Sequence, residues 1–152
     1  MAFLLLKWLH VFSAIVAVGA NVTYGIWLAR AGRSPEALPF TLRGIKVIDD
    51  RIANPAYGLL LVTGLAMAYV DGLPLTTPWL LTALILYVLV ALTGFLGYTP
   101  TLRRQIEVLD REGFQSPNYQ ALARRGGRLG MVLAVLVTVI IFLMVVKPGL
   151  WA

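Results

Sequence analysis

"LLLKWLHVFSAIVAVGANVTYGIW" runs from Leu4 to Trp27, and its reading decides the fold. It is long enough to cross a bilayer as a helix, which takes about 20 apolar residues. Yet it carries Lys7, Asn21 and the chain's single histidine, His10. On a helix Lys7, His10, Ala14, Ala17, Asn21 and Tyr24 recur at spacings of three and four, so they share one stripe. Leu5, Leu9, Phe12 and Val16 lie elsewhere. Small residues let a neighbouring helix approach closely. Polar residues at membrane depth face the interior of a bundle and are functional candidates by default. The stripe is therefore expected to turn inward.

Composition supports a lipid solvent. Of 152 residues, 59% are hydrophobic and 13% charged, and the mean hydropathy is +0.82. Soluble domains carry about 25% charged residues, so this chain has too few polar groups to coat a soluble globule. There are no cysteines, which removes disulfides, thiolate nucleophiles and Cys-based metal sites. Four apolar segments, about 3–28, 53–70, 78–98 and 129–146, predict a single domain over 1–152: an all-α bundle of four transmembrane helices. Helix is required because lipid offers no partners to backbone amides.

The connections set the expected topology. Asp71–Thr77 contains no Lys or Arg, whereas Arg30–Ile52 contains five and Thr99–Arg128 six. Short basic loops stay in the cytoplasm, so both termini are expected outside. The net charge of +6 is then read as a lipid-facing asymmetry, with anionic headgroups as partners, and not as a nucleic-acid footprint. Leu102, Ile106 and Leu109 mark one face of "TLRRQIEVLDRE", and Glu107–Arg111 supplies a pair one turn apart. This segment either continues helix three or lies in the interface. Leu42, Ile45 and Ile48 mark a similar short amphipathic piece. Arg124, Arg125 and Arg128 precede helix four, where headgroups are expected. A signal-peptide reading with cleavage after Ala20 is disfavoured, because the n-region is apolar and the apolar run continues to Leu28. Asn54–Pro55 is read as the cap of helix two, and Pro78 as the first turn of helix three. Tyr24, Trp27, Tyr69, Trp79, Tyr98 and Trp151 are read as interfacial aromatics. All seven acids are assigned to loops, which argues against an intramembrane carboxylate. No nucleophile–base pair, carboxylate pair or phosphate loop is present.

His10 is expected about 10 Å below the outer boundary, at 1.5 Å per residue. Three readings stand for it. It hydrogen-bonds Asn, Thr or Tyr of another helix; it ligates a metal or haem iron through neutral imidazole; or it relays protons or binds another ligand. Lys7 can snorkel outward and pair with a propionate or a lipid phosphate. Candidate further ligands are Met67 and Met144, which antiparallel threading puts in the same half as His10. Met131 falls in the other half. Methionine in a helix is more often packing than ligand. Copper through His10 and thioether sulfur is chemically reasonable, but clustered Met and His are lacking. The alternative function is a non-enzymatic membrane subunit or scaffold without a cofactor, with the stripe acting only as helix glue. A homo-oligomer or a membrane partner is compatible with either.

"LLLKWLHVFSAIVAVGANVTYGIWLARAGR" resembles the first helix of a bacterial superfamily of small inner-membrane proteins that includes the CopD-type copper-resistance proteins and the HemJ-type protoporphyrinogen oxidases. The Lys-x-x-His motif and the following glycine correspond to Lys7, His10 and Gly19. The whole chain, including "TPWLLTALILYVLVALTGFLGYTPTLRR", most resembles a branch of unknown function, domain-of-unknown-function family 2269. The resemblance implies a multi-pass inner-membrane protein, with His10 a haem ligand, haem b the cofactor and Lys7 its neighbour. The HemJ-type lysine on a later helix has no counterpart, since helices two to four contain none and Lys147 only follows helix four. That departure counts against the oxidase activity.

Overall fold

A computed structural model describes residues 1–150. Six α-helices form four continuous rods: α1 (Ala2–Ala31), α2 (Leu38–Ile48) running into α3 (Asn54–Val70), α4 (Pro78–Leu92) running into α5 (Thr99–Glu112), and α6 (Pro117–Val146). Each rod is long and apolar enough to cross a membrane. Both described ends of the chain therefore lie at one end of the bundle, the terminal end. The opposite, basic end carries α2, α5 and the first turns of α6.

The rods exceed the expected spans. The second segment begins with α2, not at residue 53, and the fourth begins at Pro117, not at 129. For the second segment the fault in the expectation lies with one proline. Asn54–Pro55 does not cap a helix. It follows a π-helical turn, Asp49–Ala53, inside a continuous rod. Thr99–Pro100 likewise follows a π-helical turn, Thr93–Tyr98. Proline clashes with the carbonyl four residues earlier and leaves it without a donor. A widened turn relieves that conflict without ending the helix. Pro78 does sit in the first turn of α4.

Packing differs between the two ends. At the basic end, Leu42 and Ile45 of α2, Leu102 and Leu109 of α5, and Tyr119 of α6 form a buried apolar cluster. The two amphipathic segments are thus covered by each other and by α6, and α5 does not lie alone in an interface. Arg43 pairs with Asp110 at 2.8 Å, linking α2 to α5. The Glu107–Arg111 pair does not form among the described residues. Arg124, Arg125 and Arg128 remain exposed, as headgroup contacts would require. Along the spans, α1 packs on α3 and α4 on α6, whereas α3 and α4 make no close backbone approach. The bundle is two helix pairs joined firmly at the basic end, with a seam between them.

The lipid-facing surface follows from the same arrangement. Trp8, Phe12, Ile15, Val22 and Ile26 of α1 are each more than half exposed. So large an apolar surface is stable only against hydrocarbon. Trp27 and Tyr69 are exposed, in keeping with the interfacial reading, but Tyr24 and Tyr98 are buried in the cluster. The Tyr24 hydroxyl belongs to the interior. Trp151 lies outside the described residues.

Candidate functional site

The stripe of α1 faces the bundle. Ala17 and Tyr24 are buried, and Ala14, His10 and Asn21 are half-buried, whereas Phe12 is exposed. Lys7 is exposed one turn further out. Ser13, outside the stripe, is also buried, its hydroxyl donating to the Leu9 carbonyl. Asn21 donates to the Tyr57 hydroxyl at 3.1 Å and so ties α1 to α3.

His10 is held with one nitrogen committed. Nδ1 lies 3.0 Å from the Leu60 carbonyl and 3.1 Å from Thr63 Oγ1. A carbonyl only accepts, so Nδ1 carries the proton. Thr63 donates its own proton to the Leu59 carbonyl at 2.7 Å, which leaves its oxygen free to accept. The ring reaches α3 because Gly64 has no side chain: a Cβ there would stand 2.9 Å from His10 Cε1. Nε2 makes no hydrogen bond among the described residues. Thr63 and Gly64 are the partners that sequence reasoning missed. Their signal, two small residues on α3, is common to many packed helices.

The seam between the helix pairs holds two cavities. The terminal-end cavity, about 430 Å³, is lined by His10 of α1, Gly64 of α3, Leu84 of α4 and Met144 of α6, with otherwise almost wholly apolar walls. Met67 and Lys7 do not line it. Met131 lines the second cavity, also about 430 Å³, toward the basic end. Tyr57 and Tyr87 line both. Between them they tie the seam, because the Tyr87 hydroxyl donates to the Tyr57 carbonyl at 2.8 Å. Among the described residues no three His, Asp or Glu side chains converge as a metal site.

The second cavity revises the expectation for the acids. Asp49 belongs to a π-helical turn, is 5% exposed and lines this cavity with Tyr24, Asn54, Tyr98 and Thr99. One of the seven acids is therefore internal. Sequence reading placed it in a loop because the helix was taken to start after it.

These features define a multi-pass integral membrane protein built as a four-span helical bundle, with two cavities between its helix pairs and one histidine in the wall of the more apolar one. The chain belongs to the family described as "predicted integral membrane protein (DUF2269)", which it matches over residues 4–148; the family's function is unknown. No match was found among curated proteins or solved structures.

Proposed function

We propose that this is a bacterial inner-membrane protein, with both termini outside, that binds haem, porphyrin or another redox ligand in the terminal-end cavity through His10. One observation carries the reading. The His10 proton sits on Nδ1, bonded to the Leu60 carbonyl, while unbonded Nε2 belongs to a side chain in the wall of an apolar cavity. Metal-bound histidines are commonly fixed this way: the second nitrogen donates to a carbonyl, which sets the tautomer and raises the basicity of the ligating atom. The volume falls within the range of about 300–1,000 Å³ usual for small-molecule sites.

The residues present fit a haem. His10 Nε2 would hold the iron, the Leu60 carbonyl and Thr63 would orient the ring, and the apolar walls would exclude water. Lys7, one turn outward, would pair with a propionate. When bound, haem supplies one-electron chemistry at iron. The site residues proposed are thus His10 and Lys7, with Met144 the sulfur nearest to hand by its place in the same cavity. Met67 is set aside by its position.

A second reading rests on Met144. Imidazole and thioether in one cavity suit Cu(I). The test is purification from cells supplied with haem and copper, followed by absorption and metal analysis. The haem reading predicts a Soret band and stoichiometric iron. Copper without a Soret band, lost in Met144→Leu, supports the copper reading. Folded protein that is colourless and metal-free overturns both, and leaves His10 as a tie between α1 and α3 in a scaffold.

A further inference from the structure

The basic-end cavity has a chemistry of its own. Its wall carries one carboxylate, Asp49, and no Lys, Arg or His. Asp49 Oδ2 accepts from Thr99 Oγ1 at 3.3 Å and from Asn54 Nδ2 at 3.5 Å, both long for hydrogen bonds. Oδ1 has no partner among the described residues. Nor does a cation form an ion pair with Asp49 among the described residues: the pairs found are Arg43–Asp110 and Lys46–Asp50, and Lys46 acts on Asp49 only at longer range. A buried carboxylate left so poorly compensated is costly. In the same wall, Tyr24 is 3% exposed and its hydroxyl is buried without a partner. Buried hydroxyls are nearly always bonded. Both π-helical turns contribute to this wall, Asp49 from one and Tyr98 from the other. Such turns often mark functional sites.

We propose that this cavity binds an amphipathic amine, its ammonium group donating to Asp49 and to the Tyr24 hydroxyl oxygen, and its apolar part lying against Leu133 and Val137. An anion would be repelled by Asp49. A purely apolar ligand would leave both polar groups unmet. Multivalent metal ions want several carboxylates, and only one is present. Tyrosine rings at Tyr57 and Tyr98 add faces that attract a cation. The site adjoins the His10 cavity, with Tyr57 and Val137 in both walls, but Asp49 and Tyr24 belong to this one alone, and the proposal does not depend on the reading given to His10.

The test is equilibrium binding of radiolabelled phenethylamine to the full chain in zwitterionic nanodiscs, with empty discs subtracted and 2-phenylethanol as the neutral isostere. Saturable binding is expected, with the amine favoured over the alcohol by tenfold or more. Asp49→Asn is expected to weaken binding by tenfold or more and Tyr24→Phe by several-fold, with His10→Ala unchanged. That last result separates this site from the proposed haem site. Equal binding of amine and alcohol, non-saturable uptake matching empty discs, or full binding by folded Asp49→Asn overturns the proposal. Where Asp49→Asn fails to fold, the amine–alcohol comparison on the unmodified chain decides alone.

Discussion

The contact between His10 and Gly64 concentrates much of the site into one pair of residues. A methyl at position 64 would stand 2.9 Å from the imidazole, closer than the ring can tolerate, so Gly64→Ala must displace it from Leu60 and Thr63. Overpacking of this kind costs about 1–3 kcal/mol, and a corresponding drop in the thermal melt in detergent is expected. Gly58→Ala is the control. Nothing lies within 4 Å of the added atom, and removing a helical glycine is worth about 0.5–1 kcal/mol in the opposite direction. Equal melts for the two variants would contradict the packing described. At this scale the sequence showed that His10 faces inward, because its stripe is polar or small. It could not show which atoms meet it, because Thr63 and Gly64 look like ordinary packing residues until the register of α1 on α3 is known.

At the scale of elements, the weakest seam is that between α3 and α4, tied by the Tyr87 hydroxyl to the Tyr57 carbonyl. Tyr87→Phe removes one partly buried bond and is expected to lower stability by about 1 kcal/mol, read as a lower melting temperature; an unchanged melt would show that the tie contributes nothing. The α5–α6 turn gives a second test. Ser116 accepts from the Tyr119 amide and donates to Glu112, so Ser116→Ala loses an N-cap and about 1 kcal/mol. The four spans and the amphipathic faces of α2 and α5 were legible from apolar runs and from Leu42, Ile45, Leu102 and Leu109. The continuity of α2 into α3 was not, whereas α5 as a continuation of α4 was one of the two readings of its segment. Asn54–Pro55 reads as a helix start, and only the π-helical turn before it reveals that the helix passes through. The same error hid Asp49, which a loop would expose and the rod buries.

For the whole molecule, eleven of the thirteen basic residues lie in the two connections of the basic end, Lys7 and Lys147 being the exceptions. That asymmetry predicts a cytoplasmic basic end, which places Arg43 and Arg111 inside. A cysteine at exposed Thr76 should react with an impermeant thiol reagent in intact cells, and one at exposed Gln115 should not. Labelling only at Gln115 would invert the orientation. Ligation by His10, a residue of the terminal-end cavity wall, is tested by a haemin titration of the full chain in nanodiscs. The unmodified protein is expected to give a shifted Soret band saturating at about one haem per chain. His10→Ala is expected to lose the shift and to regain it when free imidazole, small enough to occupy the space vacated by the ring, is added. Superimposable titrations of the two proteins, with imidazole without effect, would contradict the account.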